Sequence, residues 1–234
     1  MITTVFFDLD GTLLPMEQEL FIRSYLSRMA KKMAPHGYSP KQLIDAIGAG
    51  TAAMVKNCGT CTNDVIFWQS FDQCFGRNTR ADESLFEDFY RNEFQTIRQD
   101  CGYDSRAAKT VSLIKAMGYR VVLATNPLFP SIATHSRIRW AGLDPSVFEW
   151  ITTYENSSRC KPNPDYYREI LDKLHLKAEE CIMVGNDVSE DMIAKKLGFQ
   201  VFLLTDCLIN KENQDISQYP NGSFPELLNF IRSL

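Results

Sequence analysis

The sequence has no excess of positive charge, no apolar run of membrane length, no internal repeat and no tract of low complexity. Its 25 Lys and Arg stand against 29 Asp and Glu, a formal net charge of -4. A chain so charged offers no general surface to nucleic acid or to an anionic membrane. No segment approaches the roughly 18 uncharged apolar residues that a spanning helix needs. The N-terminus lacks a basic region leading into an apolar run and a cleavage site, so the cytoplasm is the expected compartment. An acidic protein that handles an anion then needs local positive charge or a metal.

Cysteine is present but poorly arranged for disulfides. The seven residues, from Cys58 to Cys207, are odd in number and scattered, which suits free packed thiols in a reducing compartment. Cys58 and Cys61 have CxxC spacing, yet no second ligand pair accompanies them and no strand-to-helix junction surrounds them. They read as a loop that holds two cysteines.

What the chain does have is enough apolar material, 44% of 234 residues, for one large domain or a core with a smaller insert. TTVFFDL, Thr3 to Leu9, reads as a buried strand. From Met16 to about Asp100 the pattern is helical throughout. Ile22, Leu26, Met29 and Met33 mark a first helix. Ser39-Pro-Lys-Gln42 reads as a capping box opening a second, which Gly48 and Gly50 are expected to interrupt. Val65, Trp68 and Phe75 mark a third, with Asp72 out of place on its stripe. Leu85, Phe86, Phe89, Tyr90, Phe94 and Ile97 mark a fourth.

Beyond Gly102 strands and helices alternate. Strands are expected up to Thr125, near Trp150 to Thr153, at CIMVG up to Gly185, and at FQVFLLT. Helices are expected between them, including one from the Gly185 turn to Leu197, and from Pro225 to Ile231. Such alternation predicts an α/β fold with a parallel sheet covered on both faces, and an all-helical insert after the first strand.

The first strand ends in Asp8-Leu-Asp10-Gly-Thr12. Side chains two apart on a strand share a face, and neighbouring carboxylates raise each other's pKa unless a cation or a shared proton relieves them. Three more segments place polar residues where a parallel sheet binds ligands: Thr125-Asn126-Pro127, Lys161-Pro-Asn-Pro164 and Gly185-Asn-Asp187-Val-Ser-Glu-Asp191.

In that order, DLDGTL, ATN, KPNP and GNDVSED resemble the four motifs of the haloacid dehalogenase superfamily. The resemblance spans Val5 to Asp191; the insert matches by position and helical character. It implies a doubly wound, Rossmann-like core of residues 1–15 and 101–234, and a mobile helical cap of residues 16–100. It further implies Asp8 as nucleophile and Asp10 as general acid and base. Thr125, Asn126 and Lys161 would hold phosphate, and Mg²⁺ would be held by Asp8, the Asp10 carbonyl and Asp187. Gly11, Thr12 and Asp191 would support them. Asn186 stands where the motif most often has its Asp; the Asp187-to-Asp191 spacing of four is kept, so Asp187 is taken as the ligand.

For leaving-group contacts the segment Gly48-Ala-Gly50-Thr51, with Lys56 and Asn57, is the candidate in the cap. The implied activity is a Mg²⁺-dependent phosphatase acting on a small soluble phosphomonoester, as a monomer or weak dimer. A sugar-phosphate mutase on the same core, or a silent relative used for binding, are the alternatives. Haloacid dehalogenation is disfavoured, because members that perform it lack the second Asp and the metal.

Overall fold

A computed structural model describes residues 1–234. Six parallel strands form one sheet in the order β3-β2-β1-β4-β5-β6. These are β1 (Thr4–Phe7), β2 (Arg120–Leu123), β3 (Trp150–Ile151), β4 (Cys181–Gly185), β5 (Gln200–Leu204) and β6 (Asn221–Gly222). The direction of winding reverses between β1 and β4, the crevice where doubly wound sheets bind ligands. Helix α5 (Ser105–Ala116) leads into β2, α6 (Ser131–Trp140) follows it, and α7 (Pro164–Leu174) and α8 (Phe224–Arg232) complete the layers.

Alternate residues of each strand enter different cores, as the period of a strand requires. Val5, Phe7, Val121, Leu123, Ile182 and Val184 join one hydrophobic cluster. Phe6, Val122, Ala124, Met183 and Val201 join another with Tyr166, Tyr167 and Ile170 of α7. The first cluster continues without interruption into the insert, through Phe21, Tyr25, Phe71, Phe89 and Phe94.

The insert carries α1 (Gln18–Met33), α2 (Pro40–Val55), α3 (Asn63–Phe75) and α4 (Glu83–Arg91), then a 3₁₀ stretch over Glu93–Asp100. Several local expectations change here. α2 runs unbroken through Gly48 and Gly50. Gly50 is a packing contact: a Cβ there would come within 2.6 Å of the Phe67 ring on α3. Pro40 opens α2 as expected, but Ser39 makes no side-chain cap; Gln42 instead donates to the Cys74 carbonyl. The misplaced Asp72 accepts from the Thr79 N–H at 2.7 Å and its hydroxyl at 2.6 Å, and so fixes the turn after α3. The single helix expected from Leu85 to Ile97 breaks at Asn92, where φ and ψ are -115° and -83°. The helix expected after Gly185 is a turn followed by 3₁₀ structure at Met192–Leu197.

Candidate active site

The tips of β1, β2 and β4 converge on a cavity of about 210 Å³ lined by Asp8, Asp10, Thr125, Asn126, Asp187 and Asp191, among others. Adjacency in the sheet brings them together, since β1 pairs with both β2 and β4.

At β1 the chain turns back tightly: Gly11 N–H donates to the Leu14 carbonyl at 2.8 Å and Leu14 N–H to Leu9 at 2.8 Å. Gly11 sits at φ +86°, and a Cβ there would lie 2.3 Å from Asn186 Nδ2. Only glycine meets both demands. Asp8 is 7% exposed; its Oδ1 accepts from Lys161 Nζ at 2.9 Å. The Thr12 hydroxyl stands 3.1 Å from Asp8 Oδ2 and 2.9 Å from Asn186 Oδ1, with one proton for the two acceptors.

Lys161 is 1% exposed and reaches Asp191 Oδ1 at 2.6 Å as well. Burial works against its charge, but Asp191 and Asp8 outweigh that and hold the ammonium well above its ordinary range. The following residues position it: Asn163 caps α7 by accepting from Asp165 N–H, and Pro164 takes the first helical position. Asp191 also accepts from the Asp187 N–H at 3.0 Å, lying across Gly185.

Asp10 has a cation of its own. Arg137, 1% exposed on α6, pairs with Asp10 Oδ2. Its guanidinium lies 4.5 Å from the centre of the Phe129 ring, which covers it. Burial raises the Asp10 carboxyl above the usual carboxylate range; Arg137 opposes the rise and Asp8 adds to it. Each of the two neighbouring carboxylates is thus relieved by a separate buried side chain, Lys161 for one and Arg137 for the other. Arg137 was not among the residues singled out from sequence. Its one signal was position, four residues from both Ala133 and Ala141 on the buried side of α6.

At β2 the Thr125 carbonyl is pinned by the Thr152 hydroxyl at 2.7 Å and the Tyr166 hydroxyl at 2.8 Å. Asn126 donates through Nδ2 to Glu190 Oε2 at 3.0 Å, while its buried Oδ1 has no partner. Glu190 also lines the cavity, and burial raises its carboxyl. At β4 Asn186 is buried and uses both polar atoms inside the protein, Nδ2 donating to the Cys207 carbonyl at 2.7 Å. Asp187 accepts through Oδ1 from Ser189 and Glu190 N–H at 2.7 and 3.0 Å, and its Oδ2 takes no part in either bond.

Asp8, Asp10, Asp187, Glu190 and Asp191 therefore face one small cavity, against the buried cations Lys161 and Arg137. No three His, Cys, Asp or Glu side chains converge as a finished metal cage. The donor set nevertheless suits Mg²⁺, which is ordinarily held by one or two carboxylates, with waters and substrate oxygens completing its octahedron. The buried Asp10 Oδ1, without a hydrogen-bond partner, is a further sign of unmet negative charge there.

The candidates in the insert are dispersed. Thr51 lines a second cavity beside the first, Gly50 backs onto Phe67, and Lys56 is exposed at the end of α2. Asn57 is buried and bonded within the α2–α3 loop, to the Cys61 carbonyl and Asn63.

With this geometry in place, comparison with known proteins defines the class. The chain belongs to the haloacid dehalogenase-like hydrolase family, which it matches over residues 2–198. It is 23% identical to the pyrophosphatase PpaX of Halalkalibacterium halodurans, over 98% of this chain and 97% of that protein. It is 24% identical to the phosphoglycolate phosphatase of Colwellia psychrerythraea, over 97% and 95%. In fold it resembles a HAD phosphatase from Thermococcus onnurineus (TM-score 0.58, 18% identity, 98% of each chain). It also resembles YfnB of Bacillus subtilis, described as bound to magnesium (TM-score 0.56, 15% identity, 98% of each chain). No helix is long and apolar enough to cross a membrane.

Proposed function

We propose that the protein is a Mg²⁺-dependent phosphatase that hydrolyses a small phosphomonoester through a phosphorylated Asp8. The observation that carries this reading is the Asp8–Asp10 pair at one strand tip, each carboxylate held by its own buried cation at the mouth of a shared cavity. The names of the relatives, pyrophosphatase and phosphoglycolate phosphatase, support phosphoryl transfer to water as the reaction class.

Asp8, Asp187 and the Asp10 carbonyl would hold the metal, which when bound neutralises phosphate oxygens and lets an anion approach an acidic site. The chain's own residues do the rest. An Asp8 oxygen attacks phosphorus as the bond to the leaving oxygen breaks, and Asp10 gives that oxygen its proton. A water then attacks the phosphorus of the aspartyl phosphate, Asp10 takes its proton, and the bond to Asp8 breaks. Inorganic phosphate leaves and both aspartates are restored. Lys161 holds Asp8 in place through its 2.9 Å contact and lends charge to the transferring group. The Thr125 hydroxyl and Asn126 N–H at the tip of β2 serve as donors to the phosphate oxygens.

The test is hydrolysis of p-nitrophenyl phosphate with Mg²⁺. Asp8→Asn should abolish turnover while leaving thermal stability intact or raised. A variant that kept substantial activity would contradict the assignment.

A further inference from the structure

The site has a second chamber. Between the insert and the sheet lies a cavity of about 680 Å³, and it shares Ile22, Leu128 and Phe129 with the catalytic cavity. Its volume is within the range of small-molecule pockets, roughly 300–1,000 Å³. Fifteen of its twenty-three lining residues are apolar, with Met29, Ile47, Phe67, Trp68 and Phe86 forming the wall on the insert.

Its charges are few and mostly negative. Glu83, Glu87 and Glu155 lie on the lining, and the sole cation there, Arg91, is paired with Glu87 at 2.9 Å. The Tyr25 and Tyr90 hydroxyls satisfy each other at 2.9 Å, and burial pushes both phenols up, Tyr25 to about 12, so they stay neutral. Glu83 is paired with Arg80 at 3.4 Å and Glu155 accepts from the Ser131 N–H at 2.8 Å, so a leaving group that carried a phosphate or carboxylate would find the one cation on the lining already engaged and an excess of carboxylates around it. An uncharged apolar one would bury its surface against aromatic and aliphatic walls, where each methylene contributes favourably.

We infer that the substrate is a phosphomonoester whose leaving group is neutral and largely apolar, an alkyl or aryl alcohol, seated in this second chamber. The inference rests on the phosphatase reading and adds the identity of the group that the phosphate leaves. Thr51 would then be a neutral polar group among the apolar residues that α2 contributes, Ile44, Ile47 and Ala52.

The experiment compares kcat/KM for ethyl, butyl and hexyl phosphate with that for 2-phosphoglycolate and inorganic pyrophosphate, using the full chain and Mg²⁺. A methylene that enters the chamber should raise kcat/KM by about four-fold, and both substrates whose leaving group is itself anionic should fall below ethyl phosphate. Gly48 lies on the lining in α2, and a Cβ there meets no atom within 4 Å, so the backbone admits the side chain of Gly48→Phe. That variant should lower the ratio of hexyl to ethyl phosphate activity by about ten-fold.

A flat series, or faster turnover of either substrate with an anionic leaving group than of hexyl phosphate, overturns the inference while the phosphatase reading stands. Titration with hexylphosphonate, followed by tryptophan fluorescence, reads occupancy of the chamber without turnover. Binding with no ester hydrolysed supports the chamber's role and sinks the phosphatase reading alone. Failure to bind, with ethyl phosphate hydrolysed, sinks the chamber's role alone.

Discussion

Arg137, on the buried side of α6, forms an ion pair with Asp10, a residue 127 positions earlier at the tip of β1. A buried guanidinium is costly to keep out of water unless it is paired, and Asp10 together with the Phe129 ring provides its surroundings. The pair sets where the Asp10 carboxyl stands for the proton-handling role proposed for it.

Arg137→Met keeps the bulk and removes the charge. Breaking a buried pair costs about 3–5 kcal/mol, and the partial exposure of Asp10 (22%) brings the expected loss to about 2 kcal/mol. A calorimetric scan should show Tm lower by roughly 4–8 °C. Because Arg137 positions Asp10 and does not touch phosphate, kcat for p-nitrophenyl phosphate should fall about ten-fold with KM little changed. A rise in KM at constant kcat would mean that Arg137 binds substrate directly.

Gly185 ends β4 directly beneath Asp191. A Cβ there would lie 2.1 Å from Asp191 Oδ2, so Gly185→Ala must displace the carboxylate that shares Lys161 with Asp8. Misplacement by about 1 Å is enough for a loss of roughly a hundred-fold in kcat/KM. Far-ultraviolet circular dichroism should remain that of the wild type. Activity within about two-fold of wild type would show that the Asp191–Lys161 contact does not position Asp8.

Chelation of divalent ions should stop turnover, and Mg²⁺ should restore it without refolding, since Lys161, Arg137 and Thr12 hold the strand tip through their own contacts with Asp8 and Asp10. Asp187→Asn should raise the Mg²⁺ concentration for half-maximal activity by at least about ten-fold. Unchanged Mg²⁺ dependence in that variant would remove Asp187 from the ligand set.

The strand tips that converge on the candidate site were legible because each is a local pattern: an apolar run, then polar residues whose spacing survives in a linear string. The parallel sheet was legible for the same reason. What stayed hidden depends on contacts distant in sequence. β6 consists of Asn221 and Gly222, polar and two residues long, and is a strand only through its pairing with Leu203 and Leu204. Gly48 and Gly50 read as a helix break because glycine costs about 1 kcal/mol in a helix. Gly50 is kept by the close approach of Phe67, and α2 continues through both. Arg137 was not singled out, since its partner Asp10 lies on another element, 127 residues away.

The role of Asp8 can be tested without reference to any particular substrate preference. Turnover of p-nitrophenyl phosphate with Mg²⁺ is quenched in acid within the steady state, and the digested protein is read by mass spectrometry. The account predicts a phosphoryl group on the peptide that holds Asp8, absent from Asp8→Asn. Steady turnover with that peptide unmodified, or with the phosphoryl group on a different residue, would contradict it.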